Sequence, residues 1–348
     1  MSGTSFDAVD VSLIETDGKD KIFPIHQTSL NYTNKEREIY FNKGYRNFKE
    51  IKKIIDSKHI KAIKKIIAET KLKKKDIDLI SLHGQTLSHN PKQKWTWQYC
   101  NSELIKNYFK IKVVSDFRLK DINSGGEGAP LVPIYHYNLV KDTLSDRPIG
   151  IINIGGISNI TVIDKSEKVY GFDIGPGNGP LDSIIFNRLG SNFDNKGNIA
   201  RSGKVNQKIT RDLLITLRND LSNRTFDRKA IDDLCIEKTK KLSTSSALAS
   251  LSEVIATIFK EKLKKYALKK IILTGGGRKN LNLVDLLKKK IVSEIIMAED
   301  VGWDGDGLEA QAFAYLGVRS LLGLNITYNT TTGIRTPASG GVLFNVSA

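Results

Sequence analysis

Gly171-Phe172-Asp173-Ile174-Gly175-Pro176-Gly177-Asn178-Gly179-Pro180-Leu181-Asp182 carries an apolar run into a carboxylate and then breaks into glycine and proline. Glycines at 175, 177 and 179 let the backbone take positive φ and come close to a ligand. Pro180 suits the first turn of a helix starting at Leu181-Asp182-Ser183-Ile184-Ile185. Strand, acid, turn and helix in that order make Asp173 the first candidate for chemistry. The same stretch also reads as a glycine-rich turn whose acid caps a helix.

Upstream lies a hairpin: strand Ile149 to Ile154, turn Gly155-Gly156, strand Ser158 to Ile163. Downstream, helices are expected over Val205 to Leu217 and Ser243 to Lys265. A β-type run, Lys270 to Leu273, then leads into Thr274-Gly275-Gly276-Gly277-Arg278-Lys279-Asn280, ahead of a helix from Leu281 to Lys290. Gly307 to Leu322 closes the set as a helix.

The chain opens with a similar device. Val9 to Thr16 alternates as a strand, Asp17-Gly18 turns, and Lys21 to Leu30 returns. Met1 to Asp7 lies at the mouth of this hairpin, rich in small and hydroxyl residues whose N–H groups could face a phosphate, a composition that also marks plain turns. Ile77 to Leu82 reads as a buried strand delivering His83-Gly84-Gln85-Thr86, with His89 beyond, at the end where open α/β sheets bind ligands. Packed or capping histidines are the other reading. After the strand Lys112 to Ser115 come Asp116-Phe117-Arg118 and the loop Gly125 to Pro133. Arg118 either forks onto a substrate carboxylate or forms a salt bridge with Asp116 or Asp121. Two halves that each open with a glycine-bearing hairpin suggest a duplicated domain gripping a phosphate.

At 348 residues the chain suggests roughly two domains, and 40% apolar content suits a globular protein. The net charge of +16 is local: Lys35 to Lys75 holds 15 Lys/Arg against 5 Asp/Glu. There Ile51, Ile54, Ile55, Ile63, Ile66 and Ile67 recur at helical spacing with Lys52, Lys53, Lys61, Lys64 and Lys65 between them, an amphipathic helix with a solvated lysine face. Few aromatics interleave, so neither nucleic acid nor membrane is the expected partner. Cys100 and Cys235 match neither a disulfide framework nor a paired zinc motif. The expected location is the cytoplasm, since no basic-then-apolar leader and no run of 18 apolar residues occurs.

Met1-Ser2-Gly3-Thr4-Ser5, His83-Gly84-Gln85-Thr86, Asp116-Phe117-Arg118, Gly128-Ala129-Pro130-Leu131-Val132-Pro133, Asn153-Ile154-Gly155-Gly156, Phe172 to Asn178, Gly275-Gly276-Gly277 and Glu309-Ala310 together resemble the anhydro-N-acetylmuramic acid kinase family. The resemblance runs from Met1 to about Gly323. It implies an α/β fold of two ribonuclease-H-like, actin-type ATPase domains with ATP in an interdomain cleft. Residues 1–117 plus about 323–348 would form the first domain and 118–322 the second. It also implies that water and ATP convert 1,6-anhydro-N-acetylmuramic acid, from cell-wall turnover, to N-acetylmuramic acid 6-phosphate.

Residue by residue, Gly3, Thr4, Ser5, Phe6, Asp7, Ala8, Val9 and Asp10 are similar to the family's first phosphate segment. Gly155 and Gly156 belong to the second, and Gly275, Gly276 and Gly277 to the part nearest adenosine. Asp173 matches the catalytic aspartate, while His83, Gln85, Thr86, Arg118 and Asn178 are expected at the sugar. ATP and Mg²⁺ are the implied cofactors, and a homodimer is the assembly to test. In the family several apolar residues form a first strand ahead of Met-Ser-Gly-Thr-Ser, and this sequence starts at that Met. The alternatives are a kinase of another sugar or carboxylic acid on the same fold, and a non-catalytic actin-like ATP-binding protein.

Overall fold

A computed structural model describes residues 1–3, 6–43, 48–142, 144, 146–220, 226 and 228–346. The chain divides into two compact α/β units, Met1–Thr143 with Gly307–Ala348, and Leu144–Asp306.

In the first unit the expected hairpin forms as β1 (Ala8–Thr16) and β2 (Ile22–Asn31). Helices α1 (Asn34–Lys43) and α2 (Phe48–Thr70) follow, and α2 buries Ile51, Ile55, Ile63 and Ile66 while most of its lysines stay in water. Then come β3 (Leu79–Ser81), the hairpin β4 (Gln85–Asn90) and β5 (Trp95–Tyr99), α3 (Ser102–Phe109) and β6 (Lys112–Ser115). Asn101 starts α3 by accepting the Leu104 N–H at 3.1 Å. Two short helices, α4 (Leu119–Asn123) and α5 (Pro133–Val140), end this part, α5 with proline in its first turn.

The second unit opens with β7 (Ile149–Ile154), β8 (Ile157–Ile163) and β9 (Val169–Pro176). Helices α6 (Gly179–Leu189), α7 (Asn198–Ser202), α8 (Gln207–Asp220), α9 (Arg228–Thr239) and α10 (Thr244–Leu263) follow. β10 (Lys270–Thr274), α11 (Leu281–Lys290) and β11 (Glu294–Met297) complete it. Its five strands order as β11-β10-β7-β8-β9, with only β8 antiparallel to the others. An antiparallel meander extended by two parallel strands on the far side of its first strand is the ribonuclease-H-like arrangement. α10 is the axis of the core: Leu248, Leu251, Ile255, Ile258 and Phe259 pack with Ile152, Ile154 and Leu273 of the sheet. Each such buried side chain stabilises the fold by about 1.5–3 kcal/mol.

The chain then returns to the first unit as α12 (Leu308–Leu321) and β12 (Val342–Phe344). β6 lies between β12 and β3, whereas β1–β2 and β4–β5 are separate ladders. The unit boundaries fall at 143/144 and 306/307 rather than at 117 and 323. Two packings move them: α12 lies along β1 and β3, and Tyr135 of α5 donates to Gln311 of α12 at 2.7 Å.

Candidate active site

In the second unit, β9 pairs in register with β8 until Asn159↔Asp173, and then slips so that Ser158 faces Gly175. The extra residue, Ile174, makes a bulge beside Asp173, and Gly175 takes φ +150° to permit it. Bulges re-aim side chains in this way. The Asp173 carboxylate accepts the Phe226 N–H at 3.2 Å. Lys262 of α10 faces the same region. Its ammonium pKa is lowered chiefly by burial and next by Lys265, with Asp173 opposing.

The turn after β7 and the loop after β9 interlock. Gly177 N and Gly179 N donate to Gly156 O at 3.0 and 3.2 Å, and Asn178 N donates to Gly155 O at 2.8 Å. A side chain at 177 would overlap Gly155 O and Ser158 Oγ, so glycine there is a packing requirement. Asn178 Oδ1 is buried and has no hydrogen-bond partner among the described residues.

The three glycines after β10 differ in role. Side chains at 275 and 277 would overlap Asn153 and Ile154, whereas one at 276 would meet nothing within 4 Å. Gly276 is therefore the open position, and its neighbours hold it there. Arg278 fixes this turn: Nη1 donates to Gly275 O at 2.8 Å and Asp306 at 2.7 Å, and Nε to Glu299 at 2.9 Å. Those two carboxylates offset its burial and raise the guanidinium pKa further.

In the first unit His83, Arg118 and the Gly128 loop form one network. His83 Nδ1 is 3.0 Å from Gly84 O, a pure acceptor, so the ring proton is on Nδ1. Nε2 then accepts from Arg118 Nε at 3.2 Å and Nη2 at 2.9 Å. Burial, seconded by the Arg118 charge, holds the His83 pKa well below its usual range, so the ring is neutral. Arg118 Nη1 donates to Gly128 O at 2.7 Å. Asp121 fixes that loop, accepting Gly128 N at 2.6 Å and Thr332 Oγ1 at 2.7 Å. Thus the described bonds of Arg118 go to His83 and Gly128, and Asp121 serves the loop instead.

Several expected ligand residues prove to be framework. Phe6 is fully buried, stacked 3.8 Å from Tyr32 and 3.9 Å from Tyr40. Ala8 and Val9 are also core residues. The N–H groups of Phe6, Ala8 and Asp10 bond to Gly3 O, Asp7 Oδ1 and Met1 O, so none of the three is available to a phosphate. Asp7 is exposed, Gly3 and Asp10 are half-buried, and Thr4 and Ser5 lie outside the described residues. Gln85 is fully buried, accepting from Ser2 Oγ at 2.5 Å and donating to Gly3 O at 3.1 Å. Thr86 is half-buried, and its carbonyl accepts from Tyr40 at 3.4 Å. His89 bonds Thr96 Oγ1 at 3.0 Å as a packed histidine.

Glu309, part of one of the family-like motifs of the sequence but given no role there, is added to the Arg118 network by the structure. It opens α12 and is reached by solvent, yet poor hydration raises its carboxyl pKa; Arg118 opposes and Asp10 reinforces this. An acid directly after Gly307-Leu308 at a helix start was the available signal.

The profile of the anhydro-N-acetylmuramic acid kinase family matches residues 1–346. The chain belongs to that family. An anhydro-N-acetylmuramic acid kinase of Methylorubrum extorquens is 35% identical, the alignment covering 99% of this chain and 97% of that protein. Another from Rhodopseudomonas palustris is 34% identical with the same coverage. Among solved structures, component A of the Acidaminococcus fermentans (R)-2-hydroxyglutaryl-CoA dehydratase overlays with a TM-score of 0.49 at 12% identity, covering 92% of this chain and 96% of that one.

Proposed function

We propose that this chain is the enzyme that opens 1,6-anhydro-N-acetylmuramic acid with water and phosphorylates O6, with Asp173 as the base. The supporting observation is the bulge in β9 that presents Asp173 beside an interlocked pair of glycine turns. Water loses its proton to the carboxylate as its oxygen bonds to C1. The C1–O6 bond breaks, O6 bonds to the γ-phosphorus, and ADP leaves with the electron pair of the broken P–O bond. The phosphoryl group takes the place of the proton that a departing O6 would otherwise need, so one base without a paired acid suffices. The product is N-acetylmuramic acid 6-phosphate, a step of peptidoglycan recycling.

ATP is assigned to the Gly155-Gly156 turn and to Gly276, the position with open space beside it. Arg118, oriented by neutral His83, and Asn178, whose buried Oδ1 awaits a donor, are assigned to the sugar. Among the described residues no three acidic, histidine or cysteine side chains converge as a metal site. Mg²⁺ binds through phosphate oxygens, waters and one or two carboxylates. Asp7 and Asp10 are the acids the proposal offers it, and bound Mg²⁺ would neutralise phosphate charge. No described helix is long and apolar enough to cross a membrane. A cytoplasmic location and a homodimer belong to the same proposal.

The test is Asp173→Asn, which keeps the shape and most hydrogen bonds. Turnover should fall by roughly 10²–10⁴ with ATP affinity little changed. A near-normal kcat would remove Asp173 from the role. An ADP-release assay with the anhydro sugar against a panel of free sugars separates this reading from an ordinary sugar kinase.

A further inference from the structure

Asp232 of α9 is 8% exposed, and its carboxylate is engaged on one side only. Oδ2 accepts from Ser183 Oγ at 2.8 Å and from Arg228 Nε at 3.4 Å. Oδ1 is buried and has no hydrogen-bond partner among the described residues. Leaving a buried acceptor unsatisfied is unfavourable, and native proteins with such an atom commonly have a ligand or water for it.

The surroundings say what kind of ligand. A side-chain carbon on Gly179 would lie 3.0 Å from Asp232 Oδ1 and 2.8 Å from Gly156 O, so the orphan oxygen borders the interlocked turns. A carbon on Gly156 would lie 2.9 Å from the Arg228 guanidinium. A cation and an anion therefore stand one helical turn apart against the same glycine backbone. The guanidinium draws a phosphate, whereas the carboxylate repels one and accepts only a donor, an O–H or N–H. Within a nucleotide the donors next to the phosphates are the ribose hydroxyls; the adenine amine is at the far end of the molecule.

We propose that Asp232 Oδ1 accepts a ribose hydroxyl of ATP, with Arg228 beside it directed at the polyphosphate. Burial also raises the Asp232 carboxyl pKa, in keeping with a group whose second oxygen lacks a donor until ligand arrives. The inference deepens the proposed function and rests on its placement of ATP at the Gly155-Gly156 turn.

The experiment measures nucleotide KM and kcat for ATP, 2′-deoxy-ATP and 3′-deoxy-ATP in the wild type, Asp232→Ala and Asp232→Asn, with melting temperatures alongside. The wild type should lose about 10–100-fold in KM with the nucleotide that lacks the bonded hydroxyl, as expected for a hydrogen bond to a charged group. Asp232→Ala should bring all three nucleotides within about twofold of one another, by weakening ATP and the deoxynucleotide that keeps the bonded hydroxyl while leaving the third nearly unchanged. Asp232→Asn, nearly isosteric and so the safer variant for folding, should shrink the discrimination. Equal KM values for the three nucleotides in an active wild type would overturn the inference and leave the proposed function standing. So would full discrimination in both variants with only a lower melting temperature, since that marks Asp232 as a structural partner of Arg228. If the wild type showed no saturation by ATP, the proposed function would fall first and this inference with it.

Discussion

The two units differ in how their described strands are joined. In the second unit β7 runs between β8 and β10 and joins five strands into one sheet. By the order of elements, β1, β2, β3 and β6 of the first unit correspond to β8, β9, β10 and β11. Among the described residues of the first unit, Ser2 bridges Val9 of β1 in antiparallel and Gln85 of β4 in parallel fashion. Site loops of the second unit thus hang on continuous backbone hydrogen bonding. Those of the first unit add side-chain bonds to the backbone ones, Ser2 to Gln85 and Asp121 to Thr332, with α12 packed along β1 and β3. A second difference follows the first: all five histidines of the chain are in the first unit.

The largest effect expected comes from cutting an apolar side chain in a strand of each unit. Ile152→Ala in β7, fully buried, should destabilise by about 2–5 kcal/mol. Val11→Ala in β1 is only half-buried and should cost less than half as much. Equal losses in denaturant titrations would mean that the first unit's sheet is as well supported as the second's.

Acid should also separate the two units. Burial lowers the pKa of His59 to about 4 and that of His136 to about 3, and burial with the Arg118 charge holds His83 well down. Each depressed histidine binds fewer protons folded than unfolded between its folded pKa and about 6.5. Stability is therefore complete above about pH 6.5 and is lost as pH falls through that window, by up to about 1.4 kcal/mol per pH unit for each histidine. Hydrogen exchange at pH 7.5 and 5.5, corrected for intrinsic rates, should show protection falling first in peptides from 1–142. Uniform loss across both units would contradict the assignment.

The smallest effect is at Arg118. Lysine cannot reproduce the fork that meets His83 Nε2 while also reaching Gly128 O, so Arg118→Lys should raise the KM for the sugar by about tenfold and leave that for ATP unchanged. A lower melting temperature with both KM values intact would make the residue purely structural.

Much of this was legible in the sequence because it is local. Asp17-Gly18 and Gly155-Gly156 mark their hairpins, and isoleucines at helical spacing mark α2. The glycines around Asp173 mark a turn whose members have little room for side chains. What escaped depends on distant partners. Phe6 reads as part of a phosphate turn until Tyr32 and Tyr40 enclose it, and Gln85 as a substrate ligand until Ser2 claims it. The hairpin β4–β5 has a polar, irregular sequence and gives no clean alternation. Arg228 and Asp232 look like any exposed ion pair four residues apart on a helix; only Gly156 and Gly179, some 50 to 75 positions earlier in the chain, reveal what they border.

The interlock between residues 155–156 and 177–179 also governs how this protein can change over generations. Surface turns ordinarily accept insertions and drift independently of one another. Here each turn's backbone is the hydrogen-bonding partner of the other, and Gly177 fits against Gly155 with no spare volume. A saturation-mutagenesis map should return the two turns as a single intolerant block, in which a length change in either is as damaging as one inside a strand, and compensation for a change in one is found only in the other.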